Sequence, residues 1–477
     1  MTKIDIKNLT IRQARKDLDS LKYSSLELCL AFVEEARIKN KEINAYLEIF
    51  DDIEEQAKIA DKMIASKQAK MLTGIPCAIK DNILIQGRIS SSSSKILEKY
   101  VAPYDATVIK KLREQGVIFV GRANMDEFAM GGSTENSAFG PSKNPFDTER
   151  VAGGSSGGSA AIVAMNGALF ALGSDTGGSI RQPSAFCGLV GLKPTYGRVS
   201  RFGVMAMGSS LDQIGPICKN IDDTKLVYDI IRGNDPKDGT TIGDDTYSRQ
   251  RIGKKKCIIG VPRDFLKGDG IDPQVMNAFE NKLARLKDQG YEIKDIKLPN
   301  ISYSLMVYYI VMPAEVSSNM ARYDGMKYGM HIGGKNVIED YFKTRGAGLG
   351  KEVKRRILLG TYVLSSGYYD AYYNRALAVR KMITDDFHKA FEEVDIIVTP
   401  TTPSPAFKIG EKTNDPVAMY LEDIFTVTAN LTGMPAISIP SGFSKKDNKD
   451  LPVAIQLTAR LGDEGSLFEV GKDIESK

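Results

Sequence analysis

Two glycine-serine runs lie close together in this chain, GGSSGGS at residues 153–159 and DTGGS at 175–179. Serine supplies a hydroxyl nucleophile, and glycine lets the backbone bend tightly around a reacting carbonyl. If Ser179 attacks that carbonyl, the oxyanion needs donors, and the successive N–H groups of Thr176, Gly177, Gly178 and Ser179 at a helix start can converge on it. The same physics suits a phosphate cradle, which expects a cation aimed at its ligand, and Arg181 keeps that alternative open. A flexible linker fits less well. SAAIVAMNGA (159–168) reads as a small-residue helix and ALFALGSD (168–175) as a buried strand, which places both runs at the ends of core elements.

A serine nucleophile requires a base. The chain has two histidines, His331 and His388, neither in a small-residue motif, so a Ser-His-Asp triad is disfavoured. It has no H-E-x-x-H helix and no P-loop, so no metal site is expected. GAGLGKE (346–352) imitates a nucleotide loop but is one residue short before Lys351 and carries Glu352 in place of Ser or Thr; it reads as a loop capping the helix EVKRRILL. Lysine can act as base when burial makes it neutral. Lys80 follows the apolar GIPCAI, and alternation along an extended chain sends Asp81 to the opposite side. Taken alone, Lys80 fits an ordinary surface lysine at a strand end better. Bringing a lysine from about 10.4 to 7 or 8 costs about 4 kcal/mol, so its site must be dry and rich in hydrogen-bonding groups.

Positioning such groups takes a sheet with helices around it. SLELCLAFVEEARIKN (25–40) and DIEEQAKIADKMIASKQAK (52–70) show helical spacing, so two amphipathic helices are expected to open the chain. Strands are expected at 75–79, 117–120, 257–262, 394–400, 435–441 and 452–457, so helices and strands alternate in an α/β fold. The stretch from about 300 to 390, rich in Tyr and Met, reads as a mostly helical cap or insertion. With 477 residues, 42% of them hydrophobic, the chain can bury a sizeable core. Its 64 basic and 60 acidic residues leave a net charge of +4, which implies no dedicated nucleic-acid surface. The basic run GKKKC (253–257) reads as a solvated lead-in to a strand. Five scattered cysteines without a C-x-x-C pair, no apolar signal core and no span of roughly 20 apolar residues point to the cytoplasm, away from membranes.

The whole run from Gly153 to Pro183 resembles the signature of the amidase signature family, a pattern with many fixed positions. The resemblance implies one large α/β fold, a mixed central β-sheet covered by helices on both faces. An N-terminal helical segment, 1–70, packs on an amidase-signature domain, 71–477. It also implies a Ser-cisSer-Lys triad, with Ser179 as acyl nucleophile, Ser155 in a cis peptide as the bridging proton relay and Lys80 as base.

Four further segments, 125–140, 189–216, 314–325 and 353–373, are similar to the branch of that family formed by glutaminase subunits of tRNA-dependent amidotransferases. Glutamine is then the substrate. The ammonia passes to a B subunit that activates misacylated tRNA with ATP and Mg, a C subunit braces the pair, and this chain needs no cofactor. By the same similarity Arg356 grips the substrate carboxylate, Asp423 accepts from the α-ammonium, and Tyr309 lines the site, although Tyr308 fits that place equally. Plain alternatives are an Arg356–Glu352 pair one helical turn apart and an exposed Asp423 beside Glu422. A stand-alone amidase of the same family is the competing function. The serine run at 90–94 departs from the mixed composition expected there but leaves the chemical residues untouched.

Overall fold

The computed structural model describes residues 4–247, 256–268 and 270–476. Its strands are β1 (Tyr46–Ile49), β2 (Pro76–Lys80), β3 (Ile118–Ala123), β4 (Lys143–Asn144), β5 (Asp147–Val151), β6 (Phe170–Asp175), β7 (Val190–Lys193), β8 (Gln213–Cys218), β9 (Ile258–Val261), β10 (Glu292–Asp295), β11 (Ile396–Pro400), β12 (Ala436–Lys446) and β13 (Lys449–Ala459). Among the described residues eleven of them form one sheet, in the order β1-β3-β2-β6-β8-β7-β12-β13-β11-β9-β10, while β4 and β5 pair separately. β3, β2 and β6 run parallel, as do β11, β9 and β10; the strands between are antiparallel, so the sheet is mixed.

Alternation decides which side each residue serves. Ile79, Phe119, Phe170 and Leu172 enter one core, whereas Ala78, Val120, Ala171 and Ile217 enter the other. Helices cover both: α1 (Ile11–Asp19), α2 (Ser25–Ile43), α3 (Ile53–Ala65), α4 (Thr107–Glu114), α5 (Gly157–Ala164), α6 (Arg181–Phe186), α7 (Ile221–Ile231) and α8 (Pro273–Asp288). On the first side Leu18, Ile109, Val227 and Phe279 pack from α1, α4, α7 and α8; on the second Val33, Ala57 and Ala160 pack from α2, α3 and α5. The small side chains of α5 bring its backbone close to the sheet, and enlarging one costs about 1–3 kcal/mol in strain.

From residue 304 the chain is largely helical, with α9 (Ser304–Asn319), α10 (Val337–Gly348), α11 (Lys351–Val363) and α12 (Arg375–Glu393), followed by the short α13 (Pro416–Leu421) and α14 (Val427–Leu431) and the terminal α15 (Glu464–Glu475). Val307 and Val311 of α9, Val353 of α11 and Ile383 and Phe387 of α12 share a third core. All five cysteines are free and buried. Among the described residues no helix is long and apolar enough to cross a membrane.

Several details differ from the sequence expectations. α1 precedes the two expected N-terminal helices: the Thr10 hydroxyl caps it by accepting from the Gln13 N–H at 3.1 Å, and Ile11, Ala14 and Leu18 bury one narrow face of a mostly polar segment. Residues 1–70 also contribute a strand, since β1 pairs with β3 at the sheet edge. The nucleotide-like stretch 346–352 is mainly the end of α10 and the start of α11, with only Leu349 and Gly350 between them. Residues 253–255 of the basic run lie outside the described residues.

Candidate active site

Lys80 ends β2 on the Ala78 side of the sheet, under the loop that leads into α5. It is fully buried, and its Nζ lies 2.8 Å from Ser155 Oγ, 2.8 Å from Ser156 Oγ, 2.9 Å from Ser174 Oγ and 3.1 Å from the Ser174 carbonyl. Among the described residues no carboxylate touches it. Burial therefore lowers its pKa to about 7, with more distant Asp126, Asp175 and Asp212 pulling weakly the other way. A neutral amine so placed can donate to the Ser174 carbonyl and accept a proton from Ser155. Asp81 turns away, as alternation requires, and its carboxylate accepts the Ser91 and Ser93 N–H groups at 3.2 and 2.8 Å within the serine run.

Ser155 follows a cis peptide from Gly154. Its segment is tied down from both sides: the Gly154 N–H donates to Gln182 Oε1 at 2.9 Å, and the Asp126 N–H donates to the Ser155 carbonyl at 3.2 Å. Ser179 sits on the turn between β6 and α6, and its carbonyl accepts the Ser156 N–H at 3.1 Å, which sets the two glycine-serine runs side by side. Ser179 is 7% exposed where Ser155 is 0% exposed, so only the former borders space open to a substrate. No hydrogen bond joins the two hydroxyls. The N–H groups of Gly177, Gly178 and Ser179 have no acceptor among the described residues, and Gly178 adopts φ +144°, a conformation that a side chain would oppose. Thr426 Oγ1 donates to the Gly177 carbonyl at 2.6 Å and steadies that turn.

Arg181 does not face a ligand. It is completely buried, paired with Asp175 at 2.9 Å, and donates to the Thr426 carbonyl, Gln456 Oε1 and Asn430 Oδ1. Burial alone would raise the Asp175 carboxyl, but this guanidinium and Asn430 hold it down at about 2. The phosphate-cradle alternative thereby loses its cation.

Asp423, Tyr309 and Arg356 gather at the other end. The Tyr309 hydroxyl donates to Asp423 Oδ2 at 3.2 Å, its ring stacks on Tyr420 with centroids 3.7 Å apart, and the Arg356 guanidinium lies 5.7 Å from the Tyr309 centroid. Desolvation lifts the Asp423 carboxyl to about 7. Asp423 lies in the turn between α13 and α14, not on an exposed helix. Arg356 does pair with Glu352, at 2.7 Å, so the plain alternative and the proximity to Tyr309 both hold. The neighbouring tyrosines divide their work: Tyr309 faces Asp423, whereas Tyr308 packs on Gly177 so closely that a Cβ there would lie 2.6 Å from its hydroxyl oxygen.

Sequence reasoning missed the residues that hold this arrangement. Asp212 accepts from the Thr176 hydroxyl at 2.7 Å and from the Met207 N–H at 2.9 Å, and burial raises its carboxyl to about 6. Asp126, raised by burial, accepts the Thr134 N–H at 2.9 Å. Neither stands out locally: Asp126 sits beside a second acid in NMDEF, and Asp212 follows two serines in SSLDQIGP. Among the described residues no group of three or more His, Cys, Asp or Glu side chains could hold a metal ion.

A mixed sheet that carries a buried lysine-serine cluster beneath a glycine-rich turn is amide-cleaving architecture, and the chain belongs to the amidase family, whose model (Amidase) matches residues 27–468. Within that family it is 51% identical, over 99% of its length and 97% of the relative's, to the A subunit of the Glutamyl-tRNA(Gln) amidotransferase of Thermoanaerobacter pseudethanolicus. Among solved structures it is similar to the corresponding A subunit from Thermotoga maritima, with TM-score 0.80 and 41% identity, covering 100% of this chain and 96% of that one. A crystal structure described simply as an amidase matches with TM-score 0.82 at 27% identity, over 98% of this chain and 99% of that one.

Proposed function

We propose that this chain is the glutamine-hydrolysing subunit of a tRNA-dependent amidotransferase. The observation that carries the chemistry is the buried Lys80 amine in contact with Ser155, beside the turn that bears Ser179. As Ser179 Oγ attacks the side-chain amide carbon of glutamine, Ser155 takes the Ser179 proton and passes its own to Lys80. The oxyanion is met by the N–H groups of the turn from Thr176 to Ser179. Lys80 then returns a proton through Ser155 to the departing nitrogen, ammonia leaves, and a γ-glutamyl ester remains on Ser179 for water to cleave. At the far end Arg356 grips the α-carboxylate, Asp423 receives the α-ammonium, and Tyr309 aligns Asp423.

The names of the relatives support the wider reading, in which the ammonia converts Glu-tRNA(Gln) to Gln-tRNA(Gln); the cytoplasm as its place rests on the sequence composition alone. The same complex is a candidate to amidate Asp-tRNA(Asn). Partner B and C subunits complete it, the B subunit binding the tRNA and using ATP and Mg. Residues 1–70 pack on the amidase-signature domain 71–477, and the helical stretch at about 300–390 caps its substrate end.

Purified protein supplied with glutamine is expected to release ammonia, and S179A to lower that rate by about 10⁴-fold or more. Undiminished release by S179A ends the proposal. The same fold in an amidase of 27% identity favours a second reading, a stand-alone amidase for another small amide. R356A separates the two: under the first reading its KM for glutamine rises sharply, and under the second it stays put.

A further inference from the structure

The stretch MDEFAMGG lies between the two ends of the site without taking part in the chemistry above. Its consecutive carboxylates point opposite ways. Asp126 holds the glycine-serine side: its N–H donates to the Ser155 carbonyl, and its Oδ2 is so close to Gly154 that a Cβ there would lie 2.1 Å away. Glu127 holds the other side. It is 2% exposed, its Oε1 accepts the Ser94 hydroxyl at 2.5 Å, and its Oε2 accepts the Gly350 N–H at 2.8 Å.

Those two partners lead in different directions. Gly350 is the residue from which α11 starts, and α11 carries Arg356 six positions later. Any side chain at Gly350 would displace the contact, since a Cβ there would lie 2.3 Å from Glu127 Oε2. Ser94 closes the serine run whose Ser91 and Ser93 N–H groups hold Asp81, the residue after Lys80. A buried carboxylate accepting a backbone N–H and a hydroxyl makes directional bonds; the Ser94 hydroxyl also reaches the Gly348 carbonyl at 3.2 Å, so losing Glu127 strands the Gly350 N–H in a dry place.

We infer that Glu127 is a positioning residue for substrate recognition: by clamping the start of α11 to the serine run and to the Ser155 side, it holds Arg356 in register with Lys80 and Ser155. The inference rests on the reading of Arg356 as the grip on the glutamine carboxylate. Glu127 touches no reacting atom. Its loss lets α11 shift and weakens glutamine binding while the acylation machinery stays in place.

The test is a double-mutant cycle in glutamine hydrolysis by the full chain, with wild type, E127Q, R356Q and the double variant, and S94A as a milder cut of the same clamp. A glutamine side chain keeps the shape but offers one acceptor where two are needed. E127Q is expected to raise KM about tenfold with kcat within about twofold, S94A to raise it about threefold, and the double variant to match R356Q alone. Labelling of Ser179 by a small sulfonyl fluoride, which has no α-carboxylate, is expected to proceed at the wild-type rate in E127Q. A KM unchanged in both E127Q and S94A, effects that multiply in the double variant, or slowed labelling of Ser179 overturns the role of Glu127. If R356Q itself leaves KM unchanged, the reading of Arg356 falls and takes the clamp with it. Should E127Q fail to fold, S94A paired with R356Q runs the same cycle.

Discussion

Lys80 is held where an ammonium is unwelcome. Its surroundings are three hydroxyls and a carbonyl, all able to hydrogen-bond a neutral amine and none carrying charge. Its pKa falls from the ordinary 10.5 to about 7 because the folded state binds the proton less well than the unfolded chain does. Between those two values the unfolded chain alone is protonated, so stability rises as pH climbs from about 7 toward 10.5. Below that window the folded state carries the full burden, on the order of 4 kcal/mol. K80M removes it while leaving the serines short of a partner, so a variant without activity but more stable by about 1–3 kcal/mol at pH 7 is expected, with the pH-dependent gain abolished. Urea unfolding at pH 7 and pH 9 checks both statements. A large loss of stability would mean that the amine serves mainly to knit the fold.

At the scale of elements, the turn from Thr176 to Ile180 hangs between β6 and α6, and the pair Asp175–Arg181 straps its two ends together. Arg181 also donates into the turn around α14 and to β13, so one guanidinium fixes three neighbours of the turn that carries Ser179. Cutting one partner out of a buried pair strands the other, at a cost of about 3–5 kcal/mol. D175N is expected to show that loss in thermal unfolding, together with a fall in kcat through the loosened turn; a variant as stable as wild type would show that Asn430 and Gln456 suffice for Arg181.

Much of this element layer is legible in the sequence. The β2, β6 and β11 stretches are short apolar runs bounded by polar residues, and α5 betrays itself by small residues after glycine. β7 and β8 escape notice because one has four residues and the other, QIGPIC, is broken by Gly-Pro. α1 escapes because only three of its nine residues are apolar. Ser179 is a candidate from residue chemistry, and Lys80 becomes one only once a serine needs a base, whereas Ser155, Arg356 and Asp423 stand out through resemblance alone. Asp126, Asp212 and Glu127 act through hydrogen bonds that only the folded loops bring together, and no local spacing announces them.

Over the whole molecule, groups at the two ends of the site titrate together. In the proposed mechanism Lys80 must lose its proton to act as base, and Asp423 must lose its own to receive an ammonium; both lie near pH 7. Each is protonated as pH falls, so both changes act against the free enzyme in the same direction. The logarithm of kcat/KM for glutamine is therefore expected to level off above about 8 and to fall with a slope approaching two below about 6. A slope of one, measured by ammonia release across that range, would mean that only one end answers to pH.

The five enclosed thiols have a practical corollary for watching this protein at work. With all five native sulfhydryls buried out of reach of a maleimide, a cysteine introduced at an exposed position of α10 to α12 becomes the sole point of attachment for a fluorophore or spin label. The environment of α11 with and without glutamine can then be compared in the otherwise unaltered chain.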